Sequence, residues 1–150
     1  MKKIISLLLI LVFVLSGCNA AKKVRIDEYN WTFSRITSTE TDKVIFTSEK
    51  NSSRYTEAKI INIKCTVSGD EITISDPASK ESWKIQYTEN KEAKTNNADG
   101  LIYDLTYSAE ENSIKGFATT GIANMNDVDE DYYLILTIGG YELYFMDITD

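Results

Sequence analysis

Residues 132–148, "YYLILTIGGYELYFMDI", place two apolar segments on either side of Gly139 and Gly140. Two consecutive glycines are typical of a tight β-hairpin turn, because the central residues of such turns need positive φ. With this turn, three apolar pairs face one another on one side of the hairpin: Ile138 with Tyr141, Leu136 with Leu143, and Leu134 with Phe145. The stretch therefore predicts an antiparallel hairpin with one strongly apolar face.

The opposite face of this hairpin is also apolar, since it carries Tyr133, Ile135, Tyr144 and Met146. One interpretation is structural: neighbouring strands, loops or a second copy of the chain cover this face. The other is functional, because tyrosine combines a large apolar surface with a hydroxyl group, and an exposed apolar patch marks an interaction site. We predict these four residues as candidate ligand-binding residues that line a surface or cavity.

Nine segments of the chain read as β-strands. Each is rich in β-branched or aromatic residues and is bounded by Gly, Asn, Asp, Ser or Pro. They are residues 29–37, 43–48, 59–67, 71–75, 82–88, 101–108, 113–119, 132–138 and 141–148. Eight or nine short strands in about 120 residues predict an all-β fold, either a single antiparallel β-barrel or a β-sandwich.

Two further turns predict strand register. A Gly69-Asp70 loop pairs apolar with apolar, matching Val67 with Ile72 and Cys65 with Ile74. A loop at residues 109–112 sets large residues opposite small or aliphatic ones: Tyr103 with Ala118, Leu105 with Gly116, and Tyr107 with Ile114. The small residues either let a ring lie over them in the core or leave space inside a barrel.

The N-terminus has the three parts of a secretory signal peptide. Lys2 and Lys3 precede an apolar segment at residues 4–14, which is too short for a lasting transmembrane helix. The tetrapeptide Leu15-Ser16-Gly17-Cys18 resembles the lipobox of bacterial lipoproteins. The resemblance implies cleavage before Cys18 and acylation of its thiol. It divides the chain into a signal peptide (1–17), a lipidated tether (18–27) and a β-barrel domain (28–150), held at the extracytoplasmic face of the cell membrane.

The charge of the chain limits its partners. Without the two lysines of residues 1–17, 14 basic residues face 23 acidic ones, a net charge of −9. Such a domain is repelled by phosphate backbones and by anionic headgroups. We therefore expect no nucleic-acid partner, and we expect the lipid on Cys18, rather than charge, to hold the protein at the membrane.

Catalytic nucleophile systems are restricted by composition. The chain has no histidine, which excludes Cys–His and Ser–His–Asp arrangements. Cys65 alternates with Ile61, Ile63 and Val67, so we predict that it is a core residue, and with Cys18 acylated it has no disulfide partner. Asp127 and Glu130 are able to act as a general acid and a general base. No sequence feature, however, places two carboxylates across a cleft. We predict no enzyme and no cofactor.

One acidic stretch has the opening spacing of a calcium loop. Asp127, Asp129 and Asp131 alternate, as oxygen ligands do in such loops. The sixth position is then Tyr132 instead of glycine, and the twelfth is Ile138 instead of a bidentate acid. We therefore predict no metal site and interpret the stretch as a solvated loop that keeps the adjacent apolar strand from pairing with other chains.

The mature chain resembles small lipocalin-like β-barrel lipoproteins of bacteria. The resemblance lies in Trp31 near the start of the first strand, the succession of hairpins and the closing stretch 132–148. Lipocalins carry glycine where this chain has Tyr29, and they end with a helix that this sequence does not predict. The resemblance implies a barrel. The apolar second face of the last hairpin favours a binding module for a small apolar or amphipathic ligand, or for an envelope or host protein. The alternative is a structural or protein-interaction lipoprotein without a small-molecule site.

Acylation of Cys18 is directly testable. Because the lipid is attached to the thiol, Cys18→Ser is expected to block both acylation and cleavage, which mass spectrometry of the membrane fraction detects. A variant that is still cleaved at the same bond and still behaves as a membrane protein would contradict the lipoprotein interpretation.

Overall fold

The computed structural model describes residues 22–109, 112–124 and 130–147 of the 150-residue chain. These residues form ten β-strands and one short 3-10 turn at Glu49–Asn51. The strands are β1 Thr32–Ser38, β2 Val44–Thr47, β3 Lys59–Ile60, β4 Lys64–Ser68, β5 Glu71–Asp76, β6 Glu81–Glu89, β7 Ile102–Ala109, β8 Asn112–Asn124, β9 Glu130–Ile138 and β10 Tyr141–Asp147. The predicted all-β class is confirmed. None of the helical turns in these ranges has the length and apolar character needed to cross a bilayer.

Eight of the strands close into an antiparallel barrel, so the barrel prediction is correct and the sandwich alternative is wrong. Strands β4 to β10 each pair with the next along the chain, and β10 pairs with β1. The barrel closes where β1 pairs with β4 through the single residue pair Thr32 and Lys64. Strands β2 and β3 extend the sheet beyond β1, and they run parallel to each other.

The predicted hairpin registers are confirmed. Across the Gly139-Gly140 turn, Leu136 faces Leu143 and Leu134 faces Phe145. The Gly69-Asp70 turn pairs Cys65 with Ile74, and β7 and β8 pair in the register predicted from the loop at residues 109–112. These registers were predictable because the turn length decides which residues face each other.

The strand predicted at residues 59–67 is wrong in one respect: it is two strands, β3 and β4. Lys59 and Ile60 pair with β2, whereas Lys64 pairs with β1 and with β5. Between them, the Ile61 amide still donates to the Thr47 carbonyl at 2.9 Å, and Ile63 is buried in the core. The segment changes partners here, so its continuous alternation of apolar residues does not correspond to one strand.

Residues 22–31, which we call the strap, cross one end of the barrel. Val24 and Ile26 are fully buried, and the ring of Tyr29 stacks on Tyr132 of β9 with 4.3 Å between ring centroids. We call this end, which also holds the long loop at residues 90–101, the closed end. Val24 and Ile26, which lie within the predicted tether of residues 18–27, belong to the core of the barrel.

Hydrogen bonds to inward-facing side chains and loops hold the strap. The Val24 amide donates to the Asp99 carbonyl at 2.8 Å, and the Ile26 amide donates to the Tyr103 hydroxyl at 3.1 Å. The Ile26 carbonyl accepts from the Trp31 indole at 2.7 Å.

The buried Thr120 hydroxyl donates to the Val24 carbonyl at 2.6 Å and accepts from the Leu101 amide at 3.1 Å. Backbone groups that the strap buries thus find partners within the barrel.

Thr120 is expected to stabilise the fold through these bonds. Replacing it with valine keeps the shape of the side chain but leaves the Val24 carbonyl and the Leu101 amide without this partner. We expect Thr120→Val to lower the free energy of unfolding by about 1–3 kcal/mol, measured by urea denaturation. The control is Thr88→Val, at an exposed position on β6, which is expected to change little. Equal effects of the two substitutions would contradict a specific role for the Thr120 hydroxyl.

Candidate functional site

The inner face of the barrel is packed at the closed end. The side chains that alternate inward along the strands are almost fully buried there, and together with the strap they form one apolar cluster. Its largest fully buried members from the strands are Ile72, Leu105, Leu134, Leu136 and Phe145.

At the opposite end, which we call the open end, the inner face surrounds an apolar cavity of about 500 Å³. The lining residues come from seven barrel strands, from β2 and from the turn between β9 and β10. They are Ile36, Ile45, Phe46, Ile74, Trp83, Ile85, Tyr107, Ile114, Ile138, Gly139, Tyr141 and Leu143. The cavity therefore continues the same inward-facing rows whose closed-end members form the packed core.

Two turns shape the mouth of this cavity. Gly139 and Gly140 have φ values of +59° and +84°, which only glycine adopts readily, and the turn they form lies at the rim. The turn after β1 is attached to it, because the amide and the hydroxyl of Thr39 both donate to the Gly140 carbonyl, at 3.0 and 2.9 Å. This attachment positions β2, so that Ile45 and Phe46 reach the cavity.

The chemistry of the lining favours an apolar ligand. No acidic or basic side chain contributes to it, and its polar side-chain groups are the indole of Trp83 and the hydroxyls of Tyr107 and Tyr141. At the rim, Ile114 and Tyr141 are 41% and 46% exposed. A charge inside such a lining would lose its hydration without gaining a partner, so the cavity selects for apolar groups.

Gly116 of β8 lies where the backbones of β8 and β9 approach closely. This role differs from the two considered for the small residues of the strand, which were to lie under a ring or to leave space in the barrel. A Cβ atom added there would lie 2.2 Å from the Thr137 carbonyl oxygen of β9. Glycine is needed at this position because β8 and β9 approach each other closely.

The four residues predicted to bind a ligand share a face, as the register requires, but this face is the outside of the barrel. Tyr133 pairs with Met146, and Ile135 pairs with Tyr144. None of the four lines the apolar cavity at the open end. Their role as an outer binding surface stays a prediction.

Local contacts half-bury the two tyrosines of this face. Asn97, in the long loop of the closed end, donates to the Tyr133 hydroxyl at 3.4 Å. The guanidinium carbon of Arg35 lies 3.6 Å from the ring centroid of Tyr144, and the Tyr144 hydroxyl donates to Glu142 at 2.5 Å. Burial, followed by the interaction with Glu142, raises the pKa of Tyr144 above its ordinary value. A loop and a stacked arginine therefore cover part of the outer face.

Met146 contributes to a second cavity, a lateral groove of about 840 Å³ beside β1 and the segment at residues 59–63. Its lining mixes Lys50 and Lys59 with Asp76 and Asp131. The buried Ser48 hydroxyl at its wall has no hydrogen-bond partner among the described residues. The mixture of charges does not indicate one class of ligand.

The comparisons with known proteins give no relative. No protein-family model matches the chain, and neither a curated protein nor a solved structure matches it. The candidate function therefore depends on the geometry and chemistry of the cavity itself.

The acidic stretch near β9 is described only in part. Asp131 lies in β9 opposite Ala123 of β8, whereas Asp127 and Asp129 lie outside the described residues. Within residues 22–109, 112–124 and 130–147, no group of three potential metal ligands comes together.

Cys65 lies on the apolar side of β4, as predicted, and packs against the core while remaining partly accessible. Burial raises the pKa of its thiol from 9.0 to about 12. A nucleophilic cysteine needs a lowered pKa, so the environment of Cys65 is that of a structural residue. Cys18 lies outside the described residues.

The raised pKa of Cys65 predicts its reactivity. Because the thiolate is the reactive form, alkylation of the folded protein at pH 8 should be roughly a thousandfold slower than that of the unfolded chain. The rate in the folded protein should keep rising with pH toward about 12, whereas that of the unfolded chain should level off above pH 9. The variant Cys65→Ser measures the background from Cys18. Rapid alkylation of the folded protein at pH 8 would contradict the assignment.

Proposed function

We propose that this protein is an extracytoplasmic lipoprotein, anchored by lipid on Cys18, whose barrel binds a small apolar or amphipathic ligand in the open-end cavity. The observation that carries the proposal is the apolar cavity of about 500 Å³ with an apolar rim. Ligand pockets have volumes of roughly 300–1,000 Å³ and predominantly apolar linings with few polar groups, and this cavity fits both criteria.

A bound ligand gains free energy from the apolar lining of the cavity. Side chains such as Phe46, Trp83 and Leu143 present apolar surface there, with which a ligand chain makes dispersion contacts. Binding also removes apolar surface from water, which stabilises the complex by about 25 cal/mol per Å². The driving force thus favours hydrocarbon chains or rings over polar metabolites.

The architecture agrees with the lipocalin-like resemblance. An antiparallel barrel of eight strands is wide enough to hold one small ligand, and here one end is packed while the other is open. We propose a lipocalin-like binding mode on this ground, with the ligand entering at the open end.

The position of the proposed anchor also suits ligand binding. Lys22, the first described residue, is four residues after Cys18, a distance that an extended chain covers in at most about 14 Å. Because the strap is fixed across the closed end, a lipid on Cys18 holds this end close to the membrane. The mouth of the cavity then lies at the far end of the barrel, where the anchor does not obstruct it.

A second candidate function is a structural or protein-interaction lipoprotein without a small-molecule site. The observation that favours it is the outer face of β8 to β10, where Phe117 is 47% exposed and the half-buried Tyr133, Ile135, Tyr144 and Met146 lie on the neighbouring strands. In this case an envelope or host protein covers the face. No catalytic activity is proposed.

Filling the cavity separates the two candidates. Leu143→Trp places a large ring in the cavity and is expected to weaken binding of the uncharged dye N-phenyl-1-naphthylamine by roughly tenfold or more, measured by its emission. Overpacking usually costs about 1–3 kcal/mol, and the empty space reduces this cost, so the variant should stay folded. The matched control is Thr137→Trp, which puts the same ring on the outer face of the same hairpin. Equal binding by the two variants would exclude the cavity as the site.

A further inference from the structure

The polar groups of inward-facing aromatic residues have partners at the closed end of the barrel but not at the open end. At the closed end, the Trp31 indole donates to the Ile26 carbonyl, and the Tyr103 hydroxyl accepts from the Ile26 amide. At the open end, Trp83 and Tyr107 line the cavity, and neither forms a side-chain hydrogen bond with another described residue. The strap thus supplies partners at one end that the described residues do not supply at the other.

The indole of Trp83 and the hydroxyl of Tyr107 belong to the same wall of the cavity. Tyr107 of β7 pairs with Ile85 of β6, and Trp83 lies two residues from Ile85 on the same face of β6. Aromatic side chains in such a diagonal arrangement on neighbouring strands are long enough to meet. Tyr141, on β10, stands three strands away from β7 at the rim, where it is 46% exposed. One ligand group on the β6–β7 wall is therefore able to meet both Trp83 and Tyr107.

The chemistry of these two groups calls for a hydrogen-bond acceptor. An indole nitrogen only donates, and a phenol hydroxyl has one hydrogen to donate. Trp83 and Tyr107 are half-buried, and a ligand in the cavity takes the place of the water around them. A donor that is buried without an acceptor costs free energy. A pure hydrocarbon imposes this cost, whereas a carbonyl oxygen, with two lone pairs, is able to accept from both donors.

A charged group is less suited to this wall than a neutral acceptor. None of the described residues that line the cavity is acidic or basic, so neither a cation nor an anion finds an opposite charge there. A charge that enters such a lining loses its hydration without compensation. Anions are also repelled by the whole domain, since 23 acidic residues face 14 basic ones outside residues 1–17.

We propose, as a deepening that depends on the proposed function, that the open-end cavity takes an uncharged apolar ligand with a carbonyl acceptor, such as a ketone or an ester, which Trp83 and Tyr107 bind through hydrogen bonds. The apolar lining holds the hydrocarbon part, and the two donors fix the oxygen at the β6–β7 wall. The closed end contains the same combination of an indole donor and a carbonyl, in Trp31 and Ile26.

The test compares three probes with one ring system: 2-acetylnaphthalene, 2-isopropenylnaphthalene and 2-naphthoate. In the second probe a CH2 group replaces the carbonyl oxygen of the first, and the third carries a negative charge. Each competes with N-phenyl-1-naphthylamine for the full chain in phosphatidylcholine vesicles, and protein-free vesicles give the partition of each probe into lipid. We expect 2-naphthoate to bind roughly tenfold more weakly than the ketone, because its charge has no partner in the lining.

Variants that lack one donor then isolate the hydrogen bonds. Tyr107→Phe keeps the ring and should weaken binding of the ketone by roughly fivefold, while binding of its hydrocarbon counterpart changes by less than about twofold. Trp83→Phe should shift the ratio of the two affinities in the same direction. The matched control, Tyr55→Phe, removes a hydroxyl from a residue that lies beside β2 and does not line the cavity, and it should leave both affinities unchanged.

The outcomes distinguish this inference from the proposed function. Binding of the hydrocarbon probe shows that a variant is folded and that its cavity is intact. If both variants weaken the ketone and the hydrocarbon equally, or if 2-naphthoate binds as tightly as the ketone, the inference about a neutral acceptor is overturned and the cavity function stands. Failure of the dye and of all three probes to bind the unaltered protein overturns the cavity function and this inference together.

Discussion

The rest of the structure depends on the pairing of β1 with β10, which closes the sheet into a barrel. Six residue pairs join these strands, from Thr32 with Met146 to Ser38 with Tyr141. Closure pairs the edge of β10 that would otherwise be free, and β3 remains the end strand of the extension from β1. A register shift in β1 after Phe33 bends the strand, so that its other edge meets β4 at the start and β2 further on. This change of partner brings Ile45 and Phe46 of β2 to the mouth of the cavity.

Closure also creates an interior whose two ends are filled differently. At the closed end, the strap supplies Val24 and Ile26, and the inward hydroxyls of Tyr103 and Thr120 bind its backbone. These hydroxyls stabilise the strap because buried amides and carbonyls are costly without partners. At the open end no equivalent segment enters among the described residues, and the inward rows end in a cavity. One end is thus a packed core and the other surrounds a cavity, although both are built from the same alternating pattern.

Much of the fold was predictable because hairpin register is a local property. The turns at Gly139-Gly140 and Gly69-Asp70 place particular residues opposite each other, whatever the rest of the chain does. The local sequence does not decide which face of the last hairpin points inward, since both faces are apolar. It depends on closure with β1, on Arg35 stacking over Tyr144 and on the loop that carries Asn97. The candidate site was missed for this reason, and because a cavity is a volume that side chains leave empty, which no sequence pattern records. The strap had one signal, the alternation of Val24 and Ile26 beside polar residues.

The cavity does not result from a shortage of large side chains. Phe46, Trp83, Tyr107 and Tyr141 are among the largest residues in the chain, and all four line it. Empty volume in the presence of such residues follows from the width of an eight-stranded barrel, whose interior needs a further chain segment or ligand to be filled. The strap provides that segment at the closed end. An apolar lining is poorly suited to a second strap, whose buried backbone amides and carbonyls would find few side-chain partners inside the cavity. An apolar molecule without a peptide backbone meets no such penalty, and this is the physical basis of the proposed binding function.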